Sequence, residues 1–136
     1  MLKNRKIGFW LAFAGGAVAL CGSVAYLIAY ALTADPVTGE WDRVFKWLVF
    51  GLAAAGGAVG IAGELFRMPF TPICASACVS VALAAHLVET AYPLADVLTR
   101  VPFFGGNPVL AIVFAVIFAV AALLTVVAAF MEHNKK

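Results

Sequence analysis

The chain has 136 residues, of which 65% are hydrophobic and only 12% charged, with a formal net charge of +2. A soluble domain wets its surface with about 25% charged residues, so this composition excludes a water-covered globule and makes lipid the solvent for much of the surface. The small net charge offers no basic face for nucleic acid, and the length suits a single integral membrane domain over residues 1–136.

A helix needs about 20 mostly apolar residues to cross the hydrocarbon core, and four segments meet that length. In chain order they run from about Gly8 to Leu32, Trp41 to Leu65, Pro72 to Tyr92 and Pro108 to Met131. The fold class expected is therefore an all-α membrane protein, a four-transmembrane-helix bundle in up-down-up-down order. Thr71-Pro72 and Asn107-Pro108 read as helix starts, each a capping side chain before a proline whose missing N–H costs nothing in the first turn. Asp35-Pro36 and Gly105-Gly106 break the chain before the second and fourth spans. Trp10, Trp41, Trp47, Tyr30 and Tyr92 lie near span ends, where amphipathic rings favour the headgroup region. The first apolar run, about 25 residues, is too long for the 7–15-residue core of a signal peptide, so it is expected to stay as a span.

The basic residues set the orientation. Lys3, Arg5, Lys6, Arg67, Lys135 and Lys136 fall on one side, against Arg43, Lys46 and Arg100 on the other, where the charges of Asp35, Glu40, Asp42, Glu89 and Asp96 offset them. The positive-inside rule then puts the N- and C-termini in the cytoplasm of a multi-pass protein in a plasma or bacterial inner membrane.

The first two spans are rich in small residues at every fourth position: Gly8, Ala12, Gly16 and Gly15, Ala19, Ser23 in one, Gly51, Ala55 and Gly56, Gly60 in the other. Such rows let helix backbones approach closely in lipid. The two spans share a phrase, Ala14-Gly15-Gly16-Ala17-Val18 and Ala55-Gly56-Gly57-Ala58-Val59. Two neighbours that each need a small face account for it more simply than duplication does. The fourth span is apolar on every side apart from Thr125, which suits lipid contact or a plain core.

The third span carries the groups capable of chemistry. At about 100° per residue, Cys74, Cys78, Ala82, Ala85, His86 and Glu89 share an arc of about 120° that is expected to face the bundle interior, with Val79, Leu83 and Leu87 elsewhere. An ionisable group at such depth needs a partner. Lys46, with Arg43 beside it, lies at the depth of Glu89 on the second span, so the candidate polar site is His86, Glu89, Lys46 and Arg43. Its leading reading is a clamp joining spans two and three; a ligand or ion site is the alternative.

No cofactor or metal is expected, because carboxylate–His metal bundles need such pairs from several helices and the second histidine, His133, lies in the polar tail. The three cysteines, Cys21, Cys74 and Cys78, sit in apolar runs and read as free, buried, small hydrophobes. The spacing of Cys74 and Cys78 is not that of a C-x-x-C redox pair. Glu64 and Arg67 read as an exposed pair at the end of span two, contributing little. Between spans three and four, residues 94–98 suggest a short surface helix, and Phe103-Phe104 is either an interfacial anchor or a lid over the polar site.

No phosphate loop, triad or H-E-x-x-H helix is present, so enzymatic activity is not expected. An intramembrane acid–base pair of His86 and Glu89 would lack a nucleophile or metal. The function expected is that of a small polytopic membrane protein with a structural, accessory or interaction role, its partners being the lipid bilayer and either a second copy or another membrane protein. The alternative is a small-solute or ion transporter or channel subunit acting as an oligomer through His86 and Glu89. Against it, the sequence puts no carboxylate at the midplane, where coupling sites sit.

Overall fold

A computed structural model of the chain describes residues 6–34, 36–42, 44–101 and 107–131. The described residues form four helices and no strand: α1 (Ile7–Leu32), α2 (Trp47–Leu65), α3 (Thr71–Thr99) and α4 (Pro108–Ala129). Each is long and apolar enough to cross a membrane. The outward surface is apolar as well: Ile28, Leu48, Val81, Val88, Val116 and Leu123 are all exposed. So continuous an apolar exterior would be an aggregation surface in water and is the ordinary exterior of a bundle in lipid.

The helices pack in a ring, α1 against α2, α2 against α3, α3 against α4 and α4 against α1, with α1 and α3 meeting only slightly across the diagonal. Glycines set the spacing. A Cβ on Gly57 would lie 2.7 Å from the Gly16 carbonyl oxygen, and one on Gly16 would lie 3.0 Å from the Gly57 carbonyl oxygen. The two backbones therefore touch directly. The neighbouring glycine of each pair serves a different helix: Gly15 receives Thr125 of α4, and Gly56 receives Val79 and Cys78 of α3. The shared phrase thus repeats one packing task twice. In each helix the first glycine of the pair admits an outer neighbour and the second admits the other copy of the phrase.

The helix bounds correct the sequence reading in two places. α2 begins at Trp47 rather than Trp41, because backbone groups of Val44 and Lys46 are satisfied by side chains, described below. α3 continues through Pro93 to Thr99, so residues 94–98 are its last turns and not a separate surface helix. Pro93 is buried there; its missing N–H removes one ladder bond, that to the Glu89 carbonyl, and packing holds the helix through the gap.

Caps and turns behave unequally. Asn107 caps α4 as expected, its Oδ1 accepting from the N–H groups of Val109 (3.0 Å) and Leu110 (3.2 Å). Thr71 does not cap α3: Phe70 is the N-cap, and the Thr71 hydroxyl donates back to the Met68 carbonyl at 2.8 Å. α2 ends in a Schellman turn, with Met68 N–H donating to the Gly63 carbonyl (2.9 Å), Arg67 N–H to that of Glu64 (3.4 Å), and Arg67 in the left-handed region at φ 59°. Glu64 is 4% exposed, so its carboxylate is buried where the sequence suggested an exposed one.

Candidate functional site

The polar groups converge where the α1–α2 connection meets the later half of α3 and the start of α4. Tyr26 is the centre. It is fully buried, and its ring stacks on Phe45 (centroids 5.1 Å) and meets His86 (5.6 Å), Phe114 (5.3 Å) and Phe118 (5.8 Å) edge-on. Its hydroxyl accepts from the Lys46 N–H at 2.9 Å and donates to the Val44 carbonyl at 3.2 Å. One side chain of α1 thus satisfies two backbone groups of the segment leading into α2, which is why that segment can stay non-helical while buried.

Asp42 completes the fastening. Its Oδ1 accepts from Val44 N–H at 2.9 Å, and its Oδ2 from Asn107 N–H at 2.8 Å. The carboxylate joins the α1–α2 connection to the residue that caps α4, across 65 positions of sequence. Sequence reasoning counted Asp42 only as a charge. The available signal was local: Asp two residues before a buried valine is the pattern of a side chain bonding its own backbone.

His86 is fully buried on the same side of the bundle. Its Nε2 lies 2.9 Å from the Ala111 carbonyl oxygen of α4. That atom can only accept, so Nε2 carries the proton and Nδ1 is the bare nitrogen. Nδ1 and the Tyr30 hydroxyl are buried with no hydrogen-bond partner among the described residues. Tyr30 is 0% exposed against Phe45 and Phe114, so it is a core ring and not part of the interfacial aromatic belt expected from the sequence. Trp10, Trp41 and Trp47 are exposed, as a belt requires.

Lys46 and Glu89 come together as well, Nζ to Oε1 at 3.9 Å, with the lysine side chain 50% exposed and the glutamate 21%. His86 and Glu89 therefore face different neighbours, His86 toward α1 and α4 and Glu89 toward α2. Arg43 lies outside the described residues, as does the Phe103-Phe104 segment.

The stripe expected on α3 is rotated from where composition put it. The buried face is Ala75, Val79, Ala82, His86 and Thr90. Val79, expected elsewhere, is in the core, while Cys74 is exposed and Cys78 half-buried at the edge. Cys21 is exposed too, so none of the three thiols is a core residue. Cysteine and alanine differ too little in size and hydropathy for composition to choose the face; the contact of Val79 with Gly56 chooses it.

Away from the Tyr26–His86 ring contacts, three further hydroxyls are held within their own helices. Ser23, Thr90 and Thr125 are buried, but each hydroxyl donates to a carbonyl of its own helix. Between Ser23 and Thr125 lies a layer of Ala19, Val79, Ala121 and Ala122. No group of three or more His, Cys, Asp or Glu side chains converges among the described residues.

The two tyrosines give a matched prediction. Tyr26→Phe leaves the Lys46 N–H and Val44 carbonyl without their partner and is expected to destabilise the protein by about 2 kcal/mol. Tyr30→Phe removes a hydroxyl that has no partner among the described residues and is expected to be neutral or slightly stabilising. Thermal unfolding midpoints in one detergent compare the pair directly, and equal losses would contradict these assignments.

Comparison with protein-family models, with curated proteins and with solved structures gives no match to this chain.

Proposed function

We propose that the chain is a structural or accessory component of a cell membrane, and that its buried polar cluster fastens the bundle and does not turn over or conduct a substrate. In this reading the four helices run up-down-up-down, both termini lie in the cytoplasm, and the apolar exterior meets the bilayer and either a second copy or a partner membrane protein. The antiparallel order of α1 and α2 is supported by two contacts along one seam, Gly16 with Gly57 and Tyr26 with the residues just before Trp47. The orientation rests on the excess of basic residues at the termini and the α2–α3 turn.

The observation that carries the functional reading is the Tyr26 hydroxyl, which both accepts from Lys46 N–H and donates to the Val44 carbonyl. Asp42 and the Nε2–H of His86 are engaged in the same way, each on backbone. Groups held by the chain's own backbone are positioned to stabilise it and are not presented to a substrate. The layer of Ala19, Val79, Ala121 and Ala122 supports the reading further, because a conducted ion needs polar or hydrated lining at that depth.

The test is a pair of readouts on wild type, His86→Ala and Glu89→Gln. Reconstituted in liposomes, none of the three is expected to pass protons, alkali cations or small anions above protein-free vesicles. In detergent, His86→Ala is expected to unfold at a lower temperature. A wild-type flux that both substitutions abolish would overturn the structural reading in favour of transport.

A further inference from the structure

Lys46 and Glu89 lie at one depth. Lys46 stands about 28 Å of helix from Leu65, and Glu89 about 27 Å from Thr71, with Leu65 and Thr71 flanking the same tight turn. Both distances are close to the ~30 Å thickness of the hydrocarbon core. The two charges therefore emerge where lipid headgroups begin, on the face opposite the α2–α3 turn, and the rest of α3 rises into the headgroup layer.

The pair is loose. A charge-assisted N–H···O bond runs about 2.7–2.9 Å, whereas Lys46 Nζ and Glu89 Oε1 are 3.9 Å apart and both side chains are open to the outside. Among the described residues, ammonium hydrogens and carboxylate lone pairs thus remain available to a third party. Trp47 follows Lys46 directly in the chain, and its exposed ring lies 5.8 Å from the exposed ring of Trp41; both are amphipathic side chains suited to the headgroup region. Toward the bilayer interior, Leu48 of α2 and Val81 of α3, the latter about two turns from Glu89 and about 80° from it around the helix, are exposed.

We propose that the α2–α3 seam at Lys46 and Glu89 binds the headgroup of a zwitterionic phospholipid that carries a primary ammonium. The phosphate sits on Lys46 Nζ, the headgroup ammonium donates to the Glu89 carboxylate, and the acyl chains follow Leu48 and Val81. A headgroup with both signs complements a cation and an anion set side by side. A purely anionic headgroup gains Lys46 but is repelled by Glu89, and a trimethylated ammonium has no N–H to give the carboxylate.

The full chain is reconstituted in vesicles of equal parts phosphatidylethanolamine, phosphatidylcholine and phosphatidylglycerol, and the lipids retained on release are counted by native mass spectrometry. The ethanolamine lipid is expected to be enriched about fivefold over each of the others, the factor that one exposed ion pair, here between the headgroup ammonium and Glu89, supplies at most. Glu89→Gln is expected to shift retention toward phosphatidylglycerol. Lys46→Gln, which keeps the backbone N–H bound by Tyr26, is expected to abolish enrichment without lowering the unfolding midpoint. Equal retention of the three lipids, preference for either other lipid by the wild type, or enrichment unchanged in both variants would overturn the proposal.

Discussion

Gly57→Val is expected to destabilise the bundle by about 3 kcal/mol, while Gly51→Ala in the same helix is expected to stabilise it by up to about 1 kcal/mol. The difference lies in what a Cβ meets. At Gly57 it would lie 2.7 Å from the Gly16 carbonyl oxygen and 2.8 Å from the Leu20 nitrogen. Both are backbone atoms of a helix, so neither can rotate aside, and α1 and α2 would have to separate along their seam. In lipid that contact is held by dispersion and close approach, since burying apolar surface gains little over leaving it against acyl chains. At Gly51 nothing lies within 4 Å, and a methyl group there only improves helix propensity. Unfolding midpoints in a single detergent measure both changes. Equal midpoints for Gly57→Val and wild type would mean that the α1 and α2 backbones do not touch at this seam.

The second large effect is expected at His86. His86→Ala removes a fully buried ring from between Tyr26 and Phe118, and large-to-small changes of this kind cost about 3 kcal/mol. Loss of the hydrogen bond contributes less. Ala111 lies inside α4, where its carbonyl already accepts from the helix ladder, so removing Nε2–H leaves no buried acceptor unpaired. His86→Phe, which keeps an aromatic ring and removes the unpartnered Nδ1, is therefore expected to lose no more than about 1.5 kcal/mol. If His86→Phe unfolded as early as His86→Ala, the hydrogen bond to Ala111 would outweigh ring packing at this position.

These expectations show which parts of the molecule the sequence could disclose. Hydropathy alone located the four helices, because lipid demands about 20 apolar residues whatever their order. The Asn107-Pro108 start was also legible, and so was the need for close approach in the first two spans, since a cap and a small-residue row are properties of a few adjacent positions; that Gly57, outside those rows, is the glycine that meets Gly16 was not. Features that depend on a distant partner were not. α2 begins six residues later than its hydropathy suggests because Tyr26 and Asp42, from α1 and the connection, satisfy backbone groups of Val44 and Lys46. The third span is expected to end at Tyr92, yet α3 runs on through the buried Pro93 to Thr99. Tyr30 read as an interfacial ring because of its position near a span end, and only the packing of Phe45 and Phe114 shows that it points inward. Of the four candidate polar residues, Lys46 and Glu89 lie together and His86 lies apart from them in the aromatic core. Asp42, which ties two connections together, was read as a charge because its partner Asn107 is so remote in sequence.

Tyr26 and Asp42 hold one turn in common, and the stability of the bundle's polar end depends on that shared hold. A double-mutant cycle of Tyr26→Phe and Asp42→Ala, read as unfolding free energy under one detergent condition, measures it. Val44 is gripped from both sides, its carbonyl by Tyr26 and its N–H by Asp42, so either substitution frees the turn and weakens what the other removes. The double variant is expected to be less destabilised than the sum of the singles, with a coupling of about 1 kcal/mol. Strict additivity would contradict a shared fastening, since Tyr26 and Asp42 would then act as two independent contacts.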